Sequence, residues 1–117
     1  MDRKQLMETA VSVLDSKKAE NIEVLEITKL SVVADYFVIA TGTSSTHIKA
    51  LADEVEDALT KQGVEPNHIE GKATGWILLD YGTVVIHIFT PDQREHFNLE
   101  HLWADAERTD ISSIIKE

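Results

Sequence analysis

Two periodicities, helical and alternating, divide the chain into segments. Leu6, Ala10, Val11 and Leu14 recur at helical spacing with Lys, Glu and Asp on the remaining faces, which predicts a helix over residues 2–18. Residues 22–27, IEVLEI, mostly alternate apolar with acidic and read as a half-exposed strand. After a connection, residues 35–42 enter a second strand that is apolar throughout and should be buried. Ser44 or Ser45 then caps the clearest helix of the chain. On it Ile48, Leu51, Ala52, Val55 and Leu59 share one face, and Gly63 ends it as a left-handed cap. Residues 64–69 carry the chain back across the sheet, with Pro66 marking an edge position or a loop. Residues 71–75 are polar and read as a mobile connection.

Residues 76–89, WILLDYGTVVIHIF, organise the rest. Two apolar runs flank a turn containing Tyr81 and Gly82, the pattern of a β-hairpin. On the outgoing strand Val84, Ile86 and Ile88 form one face, and Thr83, Val85, His87 and Phe89 the other. With apolar residues on both sides, this strand belongs near the middle of a sheet. A two-residue loop would force Tyr81 to positive φ, so a three-residue loop over residues 80–82 is the better fit. It pairs Leu79 with Thr83 and puts Trp76 and Leu78 on the face of Ile86; a one-residue slip would exchange those faces.

Beyond Phe89, Thr90-Pro91-Asp92-Gln93 has a capping-box pattern with proline at the first helical position, which predicts a short helical turn. Asn98 is placed to cap a further helix on which Leu99, Leu102, Trp103 and Ala106 share a face. Ile111, Ile114 and Ile115 give the last residues helical spacing, in a tail that docks weakly or frays. The expected organisation is a single domain over residues 1–107 with a tail over 108–117. The expected fold is α/β, a mixed sheet of about five strands flanked by helices, with one parallel crossover and an antiparallel hairpin.

Charge and composition narrow the function. At 117 residues the chain is one domain, long enough to bury a core without staples. It has no cysteine, which excludes disulfides and thiolate metal sites. No apolar run reaches membrane-spanning length and the N-terminus is charged, so a soluble cytoplasmic protein is expected. A net charge of −10 without a cluster of Lys and Arg disfavours direct nucleic-acid or anionic-membrane binding and suits a basic protein partner. Solubility alone would account for it equally well.

Catalytic patterns are incomplete. Thr41-Gly42-Thr43-Ser44-Ser45 lies at a strand-to-helix turn where backbone N–H groups could cradle a phosphate, yet capping explains the same residues. A Walker motif fails, because Gly71-Lys72 is followed by alanine and Pro66 stands five positions before Gly71. The region resembles the nucleotidyltransferase fold, whose active members need a carboxylate pair on the next strands. Here Asp80 stands alone, with Gly82 two positions on. The histidines at 47, 68, 87, 96 and 101 show no metal-ligand spacing, and His87, mid-strand in an apolar run, reads as a hydrogen-bonded core histidine.

A resemblance joins these pieces. Residues 35–44, DYFVIATGTS, then His47, Glu70-Gly71, Trp76, Asp80-Tyr81-Gly82, His87, Phe89, Arg94, and Leu99-Glu100 followed by Leu102-Trp103 resemble the ribosomal silencing factor family, also called Iojap-related. The likeness runs from about residue 22 to 106. Phe97 stands where relatives often carry tyrosine.

The resemblance implies a nucleotidyltransferase-like fold without the catalytic carboxylates, no enzymatic activity, no cofactor and no metal. It implies binding to large-subunit ribosomal protein fourteen on the face that meets the small subunit. Subunit joining would then be blocked sterically and translation repressed when nutrients are short. It also implies an association with large-subunit assembly and a weak homodimer. Trp76, Asp80 and Tyr81 on the hairpin and Trp103 on the last helix are the candidate contacts, with His87 and Arg94 carried over from the same motifs. Tyr81, placed on a turn with little core to fill, is expected to be replaceable without loss of stability. Two other readings stay open: a nucleotidyl-transferring enzyme with a one-carboxylate site, and a small-nucleotide pocket without catalysis.

Overall fold

A computed structural model describes residues 1–32, 34–71 and 75–115. The polar connection expected over 71–75 therefore falls mostly outside the described residues, as do the last two residues of the tail. Helix α1 (Arg3–Ser16) is followed by β1 (Glu20–Glu26), β2 (Tyr36–Thr41), α2 (Ser45–Thr60), β3 (His68–Glu70), β4 (Trp76–Asp80), β5 (Val84–Phe89), α3 (Pro91–Phe97), α4 (Leu99–Leu102) and β6 (Glu107–Arg108). The strands form one sheet in the order β3-β4-β5-β2-β1-β6. The fold is thus a mixed α/β sheet flanked by helices. Among the described residues it has six strands, the two-residue β6 pairing with β1 at the far edge beyond the five expected.

The centre of the sheet is the parallel pair β2–β5, in which Val38 lies opposite Ile86. Every residue of β5 is buried, as expected for a central strand with apolar residues on both faces. β1–β2, β3–β4 and β4–β5 are antiparallel. Each face has its own core. On one, α1 and α2 bring Leu6, Met7, Val11, Ile48, Leu51 and Val55 down onto Val38, Ala40, Ile77, Leu79, Ile86 and Ile88. On the other, Leu25, Ile27, Ile39, Val85 and Phe89 are buried together with Leu99 of α4.

Local chemistry explains the helix ends. Asp2 and Gln5 form a reciprocal capping box at the start of α1. Ser44 Oγ accepts the His47 N–H at 3.1 Å to cap α2. The turn before α2 needs glycine, since a Cβ on Gly42 would lie 2.6 Å from Ile48 Cγ2. α3 starts at Pro91 as expected, but Thr90 makes no side-chain capping bond. Asn98 takes the expected junction position with left-handed backbone (φ 46°) and no side-chain capping bond.

The hairpin register differs from the preferred one. Leu79 pairs with Ile86 and Asp80 with Val85, so Ile77, Leu79 and Tyr81 share the face of Ile86, while Trp76 and Leu78 lie beside Phe89 and His87. Tyr81 stays extended, its N–H bonded to the Val84 carbonyl, and the chain turns at Gly82–Thr83 with Gly82 at φ +83°. Asp80 Oδ1 accepts the Gly82 N–H at 2.8 Å and braces the turn. With a two-residue turn at 82–83 in place of a three-residue loop over 80–82, the Tyr81 ring enters the helix-side core, and that burial favours the observed register.

The C-terminal segment is drawn onto the body. Arg108 belongs to β6, Ile111 is buried, and Ile114 and Ile115 pack against the helix-side core as a turn. The boundary expected between residues 107 and 108 falls inside β6.

Candidate partner-binding face

Period-two alternation sorts the expected contact residues onto the two faces. Trp76, Leu78 and Asp80 of β4, Val85, His87 and Phe89 of β5, and Phe37 and Ile39 of β2 all project from the side opposite α1 and α2. Among the described residues the short α3–α4 arm, with Ile27 and Ala34 of the β1–β2 connection, covers this side in part. Trp76, Leu78, Phe37 and Trp103 are accordingly half-buried.

The rings form a continuous run. Trp103 lies edge-on to Phe37 with centroids 5.3 Å apart, and Phe37 lies edge-on to His87 at 4.8 Å. His87 lies 5.8 Å from Trp76, which stacks on Phe89 at 5.1 Å and meets Phe97 at 4.5 Å. Three expected contact residues, Trp76, His87 and Trp103, thus share one surface through Phe37. Phe97, at one end of the run, is exposed.

His87 is the floor of this surface. It is 4% exposed, and burial pushes its pKa down to about 4. Its Nδ1 accepts the Trp76 indole N–H at 3.2 Å, so the neutral ring carries its proton on Nε2. Among the described residues Nε2 has no hydrogen-bond partner. The expectation of a hydrogen-bonded core histidine holds at one nitrogen only.

Asp80 stands at the end of β4 on the same face. Besides bracing the turn it lies 3.6 Å from His68 Nδ1, and His68 Nε2 lies 3.2 Å from Glu70. This half-exposed acidic edge borders Leu78. Among the described residues no group of three or more His, Asp or Glu side chains is placed to hold a metal ion.

Two expected contacts are turned inward. Tyr81 is only 8% exposed and belongs to the helix-side core, on the opposite face from Trp76. The turn position suggested an exposed ring, but the shifted register makes Tyr81 the last inward residue of its strand. Burial, with Glu56 and Glu65 nearby, pushes its phenol pKa up to about 12, and its hydroxyl has no partner among the described residues. Arg94 is likewise covered, its side chain 11% exposed and its guanidinium bonded to Asn21, Thr41, Glu23 and Glu100. Its contacts are internal. Leu102, expected to share a face with Leu99, is instead 70% exposed, because α4 is one turn long and Leu99 is the residue it buries.

The sequence reading overlooked Phe37 as a contact residue. Its signal was present: in YFVIAT, Phe37 and Ile39 alternate with Val38 and Ala40, and only the latter pair faces the helices. His47, at the start of α2, bridges two elements. Nδ1 accepts the Thr43 N–H at 2.9 Å and Nε2 lies 3.0 Å from the Lys17 carbonyl.

Comparison with known proteins identifies the family. The model of the family described as "ribosomal silencing factor during starvation" matches residues 1–117. A ribosomal silencing factor of Halalkalibacterium halodurans is 37% identical over 116 residues, covering 98% of this chain and 99% of that protein. One from Bacillus subtilis is 38% identical over 112 residues, covering 95% of each. A crystal structure from Chromobacterium violaceum superposes with a TM-score of 0.86 at 32% identity, over 89% of this chain and 88% of that one. Among the described residues no helix is long and apolar enough to cross a membrane. Matched over its whole length by the family model and by full-length relatives, the chain belongs to the ribosomal silencing factor family.

Proposed function

We propose that this protein represses translation in the cytoplasm by docking its open aromatic face on large-subunit ribosomal protein fourteen, so that its bulk obstructs joining to the small subunit. The observation that carries this reading is the half-buried run Trp103–Phe37–His87–Trp76–Phe97 on a sheet face covered only in part. Aromatic side chains at the centre of a patch supply most of the energy of a protein interface, and surrounding polar groups supply orientation. Asp80 and Glu70 at the border, within a chain of net charge −10, suit a basic ribosomal protein. Obstruction requires no turnover, cofactor or metal, and Asp80 is already engaged with Gly82 and His68. Trp76, Trp103 and Asp80 are the proposed contacts, with His87 beneath them.

The test is co-sedimentation with isolated large subunits, beside small-subunit and intact-ribosome controls, followed by a joining assay. The protein is expected to travel with large subunits and prevent their association with small ones. Binding to neither subunit, or binding that leaves joining intact, rejects the reading. A weak homodimer is also proposed, since a partly covered aromatic face invites self-association in the absence of a partner. Sedimentation velocity showing only monomer at high micromolar concentration would exclude it.

A further inference from the structure

The α3–α4 arm supplies Phe97 and Trp103, the two ends of the aromatic face, which touch the sheet through ring contacts while few of the arm's side chains are fully buried. α3 buries no residue and α4 buries only Leu99. Helices of seven and four residues cannot sustain themselves without tertiary contacts. The strongest polar anchor is Arg94. Its Nη1 donates to the Asn21 carbonyl at 2.5 Å and to Thr41 Oγ1 at 2.8 Å, Nη2 to Glu23 at 3.4 Å, and Nε to Glu100 at 3.1 Å. One side chain on α3 thereby ties together β1, the end of β2, and α4.

The acceptors are arranged for this. β1 shifts register between Glu20 and Glu23, and Asn21 there is left-handed at φ 50°. Such a bulge takes a backbone group off the ladder, and the Asn21 carbonyl meets the guanidinium. Glu23 also accepts from Arg108 of β6, so the same carboxylate serves the sheet edge. Across the left-handed Asn98 junction, the Arg94 carbonyl accepts the Asn98 N–H at 2.9 Å while its side chain holds Glu100. A planar fork with five donors satisfies these directions together; a lysine ammonium on a flexible stem does not.

We infer that Arg94 is a positioning residue of the docking face: it pins the α3–α4 arm to the sheet and so sets the distance between the Trp76–Phe97 pair and Trp103. The functional half of this inference rests on the docking reading above; the structural half does not. Arg94 reaches a partner only through the two aromatic side chains it places.

The test separates the halves. With Trp76→Phe as background, Trp103 is the sole indole and its emission and acrylamide quenching report the arm. Arg94→Met is expected to preserve the far-UV spectrum of the sheet, shift Trp103 emission to the red and increase its quenching. In the protein that retains Trp76, Arg94→Met should weaken large-subunit binding about tenfold or more, as misplacing an aromatic anchor would. Arg94→Lys should fall between Met and the parent in both readouts. Unchanged Trp103 fluorescence in Arg94→Met overturns the inference, and so does displaced Trp103 with undiminished binding. If Arg94→Met fails to fold, Glu100→Gln decides by the same criteria, since it loosens only the α4 side. Displaced Trp103 in a protein whose parent binds no subunit sustains the pinning and rejects the docking reading instead.

Discussion

The Trp76 indole N–H donates to His87 Nδ1 at 3.2 Å, and this bond couples the protonation state of a buried ring to the placement of an aromatic ring at the surface. A protonated His87 would carry hydrogen on both nitrogens and could not accept it. Burial opposes that protonation and holds the pKa near 4, below its ordinary 6.5. Between those values the unfolded chain takes up a proton that the folded protein refuses, so stability falls as pH drops from about 6.5 to about 4. The loss amounts to on the order of 3 kcal/mol. Urea midpoints at pH 7 and pH 4.5 for wild type and His87→Gln measure it: the variant should depend less on pH. Equal dependence would refute the buried neutral ring.

Tyr81 separates packing from docking. With its ring 8% exposed in the helix-side core, Tyr81→Ala should cost about 3–5 kcal/mol, the range for truncating a buried aromatic side chain. Tyr81→Phe removes a hydroxyl without a partner among the described residues and should change stability by less than about 1 kcal/mol. Equilibrium denaturation of both variants checks this. A Tyr81→Ala protein as stable as wild type would contradict the buried position.

Leu102 should behave in the opposite way. At 70% exposed it contributes little to folding, so Leu102→Ala is expected to alter stability by no more than about 0.5 kcal/mol. As an exposed apolar neighbour of Trp103 in the chain, Leu102 is expected to add to the proposed docking contact, so the same change should reduce large-subunit binding measurably. Normal binding would move the contact away from the α3–α4 arm.

Asp80 combines two duties that salt can separate. Asp80→Asn keeps an oxygen for the Gly82 N–H and should fold normally, whereas Asp80→Lys places a cation at the acidic edge. Subunit binding by Asp80→Lys should fall, and the deficit should shrink as ionic strength rises and screening sets in. A deficit independent of salt would point to lost turn geometry instead.

Periodicity alone was enough to place both long helices, the central hairpin and the buried second strand, because each has a face that must leave water. The register of β4 against β5 was harder. It turns on whether Tyr81 joins the turn or the core, and only the space beneath α2 decides that. The two residues of β6 are too few to carry a period. On the docking face, Trp76 and Trp103 could be singled out as costly side chains. The role of Arg94 could not, since its acceptors at 21, 23, 41 and 100 come together only in the folded chain.

The parallel pairing of β2 with β5 also has a consequence for biosynthesis. Residues 36–41 leave the ribosome well before residues 84–89, and no earlier strand takes the vacant edge of β2. During that interval α1, β1, β2 and α2 form an open half whose apolar side chains await β4 and β5, and closing so long a loop is slow. A chain interrupted before residue 84 is therefore expected to be an aggregation-prone fragment and a client for chaperones or proteases.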